Sequence, residues 1–294
     1  MKPRPWRDAV QGLAFLLPSL VILSLFTYYP VLNAAWLSLF RWRIMRGEPS
    51  FIGLANYGTL FESADFWQAI GNTIVFTVGS IPPGMALALF VALLLNRPLR
   101  GLPLFRAAFF IPTITSLVAV SVVWQWIYHP DVGLANAVLN ALGLESVRWL
   151  NEPRSAMPAL IILGIWRGLG YNVIIYLAGL QDIPAHLYEA ARIDGANRWQ
   201  LLRYITWPLL APTSFFILII AVINSFQSFT QVHVMTQGGP VGSTTVIVYY
   251  LYQQAFQQFN MGYGSAIAMV LFAIILVLTV IQFRLLGGKV QYQV

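Results

Sequence analysis

Arg167 is the residue whose type and position point most directly to chemistry. It is the only charged residue between Ser155 and Gln181. A charged side chain near a membrane helix centre costs roughly 2.5–3.5 kcal/mol on insertion scales, so it should face a bundle interior or a watery cavity. There a guanidinium can donate paired hydrogen bonds to sugar hydroxyls or to a phosphate. The alternative is a structural arginine that bonds backbone carbonyls or caps a broken helix beside Gly168 and Gly170.

Residues for other kinds of chemistry are missing from the sequence. The phosphate-binding pattern Gly-x-x-x-x-Gly-Lys-Ser/Thr does not occur, and the two lysines are Lys2 and Lys289. Because His129, His186 and His233 fall in three different loops and there is no cysteine, we predict no metal site. The nucleophile elbow Gly-x-Ser-x-Gly, which would indicate an enzyme, is absent from the sequence. Without an acidic residue inside a span, a proton-coupled transporter is disfavoured.

The composition is that of a membrane protein. Of 294 residues, 58% are hydrophobic and only 9% are charged, against roughly 25% charged in a soluble domain. Uncharged stretches, one of them interrupted by Arg167 alone, reach the roughly 20 residues that cross a bilayer. The last stretch, 204–283, is too long for one helix and is divided by a polar middle. The sequence thus predicts six transmembrane helices, at residues 9–40, 66–96, 107–130, 155–181, 209–224 and 265–283.

Loop charges orient these helices, because Lys and Arg accumulate on the cytoplasmic side of a membrane. With the N-terminus inside, the inner segments hold most of the 17 cations. The inner cations are Lys2, Arg4, Arg7, Arg97, Arg100, Arg106, Arg192, Arg198, Arg203, Arg284 and Lys289, and the outer ones are Arg41, Arg43, Arg46, Arg148 and Arg154. Both termini are then cytoplasmic. The net charge of +7 follows from this topology, so we expect no nucleic-acid partner.

The inner loop, residues 182–208, has the pattern of two short helices separated by a glycine. Ala190 and Ala191 lie on a small apolar face, Gly195 supplies a stop or a tight bend, and a second helical stretch runs into Pro208. Such a shape can insert into a groove of a partner. The pattern alone fits an ordinary amphipathic connector equally well.

The same loop carries a recognisable motif. It contains Glu189-Ala190-Ala191, then Asp194-Gly195-Ala196, then Ile205-Thr206-Trp207-Pro208. This series resembles the EAA loop of permease subunits of binding-protein-dependent ABC importers, with an apolar Trp207 where the family usually has Leu. Further segments resemble the carbohydrate-uptake branch, which contains the maltose and glycerol-3-phosphate permeases. These segments are residues 51–57, Asn72-Thr73, Trp149-Leu150 and residues 236–240.

The resemblance implies an all-α polytopic membrane protein with six transmembrane helices, the transmembrane domain of a type I ABC importer. Residues 1–45 would form an N-terminal tail and a peripheral first transmembrane helix. Residues 46–294 would form the core permease domain, with coupling loop 182–208. The implied partners are a second homologous permease subunit, two copies of a cytoplasmic ABC ATPase, an extracytoplasmic solute-binding protein and membrane lipid. ATP and Mg would bind to the ATPase, so this chain needs no cofactor.

The resemblance also implies roles for individual residues. It implies that the inner loop couples the permease to the ATPase and is not a plain connector. The residues of this coupling loop are Glu189, Ala190, Ala191, Asp194, Gly195, Ala196 and Pro208. The substrate path takes Thr113, Leu117, Arg167, Gly168, Ala221 and Ser225 from the match to maltose-type relatives, together with the polar neighbours Asn224, Gln227 and Ser228. Gly238, Gly239 and Pro240 are candidate contacts for the binding protein; a tight turn is the alternative there.

We therefore predict a non-catalytic permease subunit in a bacterial or archaeal cytoplasmic (inner) membrane. It would move a sugar, an oligosaccharide or a glycerol-phosphate type of solute by alternating access, powered by a separate ATPase. The alternative is a secondary transporter or channel that works without an ATPase. Inverted repeats and paired broken helices would favour that alternative, and the sequence shows neither.

Overall fold

A computed structural model describes residues 5–96 and 101–286. These residues are almost entirely helical, as predicted. The first elements are α1 (Pro5–Leu23), α2 (Tyr29–Leu37), β1 (Phe40–Arg41), β2 (Ser50–Phe51) and α3 (Ala55–Glu62). The middle of the chain forms α4 (Ala64–Leu95), α5 (Leu102–Ile114), α6 (Leu117–Ile127), α7 (Leu134–Ala141) and α8 (Pro153–Gln181). The last helices are α9 (Ala185–Ile193), α10 (Arg198–Leu201), α11 (Trp207–Leu209), α12 (Ala211–Phe226), α13 (Thr230–Met235), α14 (Ile247–Tyr252) and α15 (Met261–Leu286).

Short irregular helical turns complete the described elements. They are the π-helical turns Ser24–Tyr28, Leu202–Thr206 and Gln253–Gln257 and the 3-10 turn Ile44–Arg46. The predicted cytoplasmic cations Lys2, Arg4, Arg97, Arg100 and Lys289 lie outside the described residues.

Five helical segments of the described chain are long and apolar enough to cross a bilayer. They are Gly12–Leu37, Ala64–Leu95, Pro153–Gln181, Ala211–Met235 and Met261–Leu285. The predicted third span is built differently, because Ala107–Ile114 and Leu117–Ile127 pass the same test only as a pair, bent by 108°. Counted as one span, this pair completes the six that the sequence predicts.

The bend lies at Thr115 and Ser116, which both have extended backbone, with φ −75° and ψ 151° at Thr115. Pro112 precedes it; a proline removes a backbone N–H and crowds the preceding helical turn. The Thr115 hydroxyl donates to the Pro112 carbonyl at 2.8 Å, an alternative to continued helix. Neither effect changes hydropathy. The sequence analysis, which treated residues 107–130 as one span, therefore did not foresee the bend.

The fifth span continues beyond Asn224, where the sequence analysis ended it. Helix α12 is followed by a break and then α13, and the polar residues Ser225, Ser228 and Gln231 are buried there. Thr77 and Ser225 share a hydrogen bond of 2.7 Å, and Gln231 donates to Ser228. The sequence analysis ended this span too early because polar residues follow Asn224, and composition does not show that such residues find hydrogen-bond partners inside the fold.

The backbone forms two compact units. One contains the described residues up to Ser63 together with Leu251–Phe272, and the other contains Ala64–Tyr250 with the described residues from Ala273 onward. In the first unit, β1 and β2 pair antiparallel, with Phe40 opposite Phe51. The buried Asn56 donates to the carbonyls of Ser38 and Phe40 at 2.7 and 3.0 Å, which ties α3 to the chain leading into this hairpin.

In the second unit, α4 packs along α8, and α12 packs against both helices. Their shared core contains Ala88, Ala92, Val173, Tyr176 and Ile217, all nearly or fully inaccessible to solvent. Small residues let these helices approach closely, as is common between membrane helices.

Helix α5 crosses α8 at Gly170. A Cβ added there would collide with the Phe109 carbonyl oxygen and lie 3.1 Å from the Thr113 Oγ1. Only glycine therefore fits at this crossing.

Candidate functional site

A cavity of about 540 Å³ opens inside the second unit. Its walls come from α4, the bent pair α5 and α6, α8, and the break between α12 and α13. Ligand pockets are typically about 300–1,000 Å³, so a small solute fits this volume. All the residues that the sequence analysis assigned to the substrate path line this one cavity. They are Thr113, Leu117, Arg167, Gly168, Ala221, Asn224, Ser225, Gln227 and Ser228.

The bend in the third span builds one wall of the cavity. Thr113 lies before the bend and Leu117 after it, and both line the cavity. The Thr113 hydroxyl donates to the Arg167 carbonyl at 3.4 Å, and the Arg167 Nη1 donates to the Thr115 carbonyl at 3.4 Å. The bend thus lies against the centre of α8.

Arg167 is the one charged residue of the cavity wall within the described chain. Its side chain is half-buried. Gly168, next to it, leaves open space, because an added Cβ would meet only the Asn172 Nδ2, at 3.9 Å. A cation beside open volume, with an amide nearby, suits a ligand that carries hydrogen-bond acceptors.

The part of the wall formed by α12, α13 and the break between them contains uncharged polar residues. Asn224 on α12, Gln227 in the break and Gln231 on α13 line the cavity there. The Ser225 hydroxyl also lies in this wall and is held by Thr77 on α4. Amides and hydroxyls of this kind can donate to and accept from the hydroxyl groups of a carbohydrate.

The sequence analysis missed several polar residues of the wall. Tyr171 and Asn172 follow Gly168 by three and four positions on α8, so helical periodicity from Arg167 and Gly168 indicates both. Ser80 and Gln231 carry no such indication, because Ser80 lies on a different helix, α4, and Gln231 lies beyond the predicted end of the fifth span.

The inner loop forms two short helices with Gly195 between them. Gly195 has a φ of +83°, a left-handed conformation that favours glycine, and no atom lies within 4 Å of an added Cβ. The Ala196 N–H donates to the Ala191 carbonyl at 2.9 Å, which closes the end of α9. Asn197 and Gln200 then form a reciprocal capping box that starts α10.

The two faces of the inner loop differ in exposure. Leu187 and Tyr188 pack on the core of the second unit, and the Tyr188 hydroxyl shares a hydrogen bond of 3.0 Å with Thr206. Glu189, Ala190, Asp194 and Gly195 are exposed, Ala191 and Ala196 are half-buried, and Pro208 is exposed at α11. Ile193, with 86% of its surface accessible, extends the exposed face as a large apolar residue.

The Gly238-Gly239-Pro240 segment forms a tight loop with several internal hydrogen bonds. The Thr244 hydroxyl donates to the Gly239 carbonyl at 2.7 Å. The Asn72 side chain on α4 donates to the carbonyls of Gly242 and Thr245, at 2.8 and 3.0 Å. Val241 projects from this loop with 88% of its surface accessible. The segment is thus a loop that hydrogen bonds hold against α4.

Within residues 5–96 and 101–286, no three His, Asp or Glu side chains come together in a way that could hold a metal ion. A bundle of apolar helices around a cavity that contains polar groups, with an exposed helical loop between two spans, defines a multi-pass permease. Over residues 80–289 the chain matches the family described as binding-protein-dependent transport system inner membrane component. The protein belongs to this family.

Relatives cover nearly the whole chain. It is 35% identical over 283 residues to the sulfoquinovosyl glycerol transport system permease protein SmoG of Agrobacterium fabrum, which covers 96% of this chain and 92% of the relative. It is 35% identical over 282 residues to the trehalose/maltose transport system permease protein MalF of Thermococcus litoralis, with 95% and 94% covered.

A solved structure is similar over the same length. It is a crystal structure of a bacterial alginate ABC transporter in complex with an alginate pentasaccharide-bound periplasmic protein. The match has a TM-score of 0.83 and 26% identity and covers 96% of each chain. Together these findings confirm the predicted ABC importer permease fold, the non-catalytic permease role and the inner-membrane location. The alternative of a secondary transporter finds no support in them.

Proposed function

We propose that this chain is the transmembrane subunit of an ATP-driven importer for a sugar or oligosaccharide. One observation carries the proposal: the residues that the sequence analysis chose for a substrate path come from four helical segments, and they line a single cavity of about 540 Å³. Carbohydrates offer many hydroxyl groups, and this cavity offers amides, hydroxyls and a guanidinium. The names of the relatives, which include sulfoquinovosyl glycerol, trehalose and maltose, support a carbohydrate over a simple glycerol phosphate.

The inner loop is the proposed connection to the ATPase. Its exposed face, with Glu189, Ala190, Asp194, Gly195 and Ile193, would insert into a cleft of the ATPase. Its other face packs on α4 and α8, whose residues also line the cavity. A movement of the ATPase would therefore be transmitted to the cavity through packed side chains. This movement would shift the equilibrium between outward-open and inward-open states.

The proposed assembly contains one further, homologous permease subunit, two ATPase copies that bind ATP and Mg, and an extracytoplasmic solute-binding protein. The family description names binding-protein-dependent transport, which supports the last of these partners. The loop at Gly238-Gly239-Pro240 is the proposed contact for it, because Val241 projects from a segment held by Asn72. Both termini would be cytoplasmic, and residues 1–45 would form a peripheral first helix beside the core permease domain of residues 46–294.

The proposal is tested by purification from native membranes in mild detergent, followed by mass spectrometry of what accompanies the chain. We expect an ABC ATPase and a second multi-pass subunit. The recovered assembly, reconstituted in proteoliposomes with the binding protein, should take up carbohydrate only when ATP is present on the ATPase side. Recovery of a lone or self-paired chain that still moves solute without ATP would refute the importer and restore the secondary transporter.

A further inference from the structure

We infer that the carbohydrate that this permease moves carries an acidic group, a carboxylate, sulfonate or phosphate, and that Arg167 binds that group. The inference rests on the proposed function and names the substrate class of the same cavity. It follows from the charge of the wall, from the free hydrogen-bonding capacity of the guanidinium, and from the distribution of polar groups around it.

The charge of the wall is unbalanced. Within the part of the chain that the structure describes, no Asp, Glu or Lys lines the cavity, so Arg167 gives it a single positive charge. No acidic residue elsewhere in the predicted fourth span balances it either. A half-buried charge without a partner loses part of its hydration, and an opposite charge that enters the site compensates for that loss. A neutral sugar solvates the guanidinium but leaves the charge uncompensated.

The guanidinium also has donors to spare. Arginine carries five N–H donors in a planar fork that matches the two oxygens of a carboxylate, sulfonate or phosphate. Among the described residues, its side chain makes one hydrogen bond, from Nη1 to the Thr115 carbonyl at 3.4 Å. Open space lies beside it at Gly168. The remaining donors are therefore available to a ligand in the cavity.

The polar groups are arranged for one anionic end and several hydroxyls. Arg167 stands on the α8 side of the cavity, whereas Asn224 and Gln227 line the part that belongs to the end of α12. These amides carry no charge and suit sugar hydroxyls, while the only group suited to an anion is the guanidinium. The cavity thus has a charged subsite and a neutral polar subsite.

A purely structural arginine is the competing explanation. In that case Arg167 would serve the carbonyls at the C-terminal end of α5, where a cation is favourable. The distance of 3.4 Å to the Thr115 oxygen exceeds the usual 2.7–3.2 Å, so this bond is weak. A capping role predicts that removal of the charge damages folding and assembly, and it predicts no change in the choice between acidic and neutral solutes.

The test uses the complete assembly with its binding protein in proteoliposomes. Uptake is measured by mass spectrometry for a panel of matched pairs, galacturonate with galactose and glucuronate with glucose, as monosaccharides and as short oligosaccharides. The variants are Arg167→Gln, which removes the charge, and Arg167→Lys, which keeps the charge but loses the fork. Arg154→Gln is the control, because Arg154 is an exposed arginine at the start of the same helix and does not line the cavity.

We expect wild-type uptake to favour the acidic members of the pairs. Arg167→Gln should lower uptake of the acidic solute by about 10- to 100-fold, the worth of a charge-assisted hydrogen bond, and lower the neutral solute less. For the acidic solute, uptake by Arg167→Lys should lie between that of wild type and that of Arg167→Gln. Uptake by Arg154→Gln should match wild type, and assembly with the ATPase should persist in all three variants.

Other outcomes separate the inference from the proposed function. Preference for neutral sugars in wild type, or equal losses for both members of a pair in Arg167→Gln, would overturn the inference and leave the sugar importer intact. Loss of the assembly in Arg167→Gln, with normal assembly in Arg154→Gln, would assign Arg167 a structural role. Absence of ATP-dependent uptake for every carbohydrate in wild type would refute the proposed function itself.

Discussion

The crossing of α5 and α8 at Gly170 allows a prediction whose magnitude follows from the structure. A Cβ at this position would collide with the carbonyl oxygen of Phe109, which belongs to backbone and cannot rotate away, and would lie 3.1 Å from the Thr113 Oγ1. Gly170→Ala therefore forces α5 away from α8. Overpacking of this kind costs about 1–3 kcal/mol.

Gly71→Ala is the matched control. Gly71 is also inside a long apolar helix, α4, but no atom lies within 4 Å of its added Cβ. Alanine there gains helix propensity, up to about 1 kcal/mol, at no steric cost. The two variants make the same chemical change inside a helix and differ in the contact alone, so their stabilities should differ by roughly 1–3 kcal/mol, the cost of that contact.

The assay is thermal unfolding of the purified assembly in lipid nanodiscs, followed by intrinsic tryptophan fluorescence. At roughly 2–4 °C per kcal/mol, Gly170→Ala should lower the midpoint by about 2–12 °C, and Gly71→Ala should leave it unchanged or raise it. Uptake should fall in Gly170→Ala as well, because Thr113 lies on the displaced segment and lines the cavity. Equal midpoints for the two variants, together with normal uptake in Gly170→Ala, would refute this account of the crossing.

Three further predictions concern coupling, the exposed loop and the cavity wall. Glu189→Lys and Gly195→Asp should each uncouple transport, so that ATP hydrolysis continues while uptake falls, since both residues lie on the exposed face of the inner loop; uptake at the wild-type level in both would contradict the coupling role. Asn72→Asp keeps the side-chain shape but cannot donate to the Gly242 and Thr245 carbonyls. The rate of ATP hydrolysis with binding protein, divided by the rate without it, should therefore drop. An unchanged ratio would contradict a role of this loop in contacting the binding protein. Thr77→Val leaves the buried Ser225 hydroxyl without its 2.7 Å partner and should destabilise the assembly by about 1–3 kcal/mol. The measurement is the midpoint of thermal unfolding, which should fall in Thr77→Val and stay unchanged in the control Thr59→Val, at an exposed threonine.

Much of the functional assignment was available in the linear sequence because it depends on local patterns. The EAA-type series from Glu189 to Pro208 lies within one short stretch of the chain, and its glycine, Gly195, occurs where the backbone has a positive φ. Arg167 was conspicuous because a single charge in an apolar stretch is costly enough to require an interior position. These inferences needed only neighbouring residues and the free energy of transfer into a membrane.

The bend between Ile114 and Leu117 was less accessible. A single proline and a hydroxyl side chain, Pro112 and Thr115, are compatible with a straight membrane helix when neighbours satisfy the freed carbonyl. Whether the helix continues depends on contacts with α8, which lie more than 50 residues away along the chain. Likewise, burial of Ser225 depends on Thr77 of another helix.

The sequence by itself determined that this protein is a helical membrane permease, which segments are apolar enough to span the bilayer, and which loop matches the coupling motif. Periodicity, charge placement and motif spacing are properties of short stretches, so they survive without a fold. Only the tertiary structure decided that the predicted path residues line one cavity, that Arg167 is the sole charge of the described wall, and that α5 lies too close to α8 at Gly170 for a Cβ to fit. Cavities and crossings arise from distances between residues far apart in the chain, and packing sets those distances.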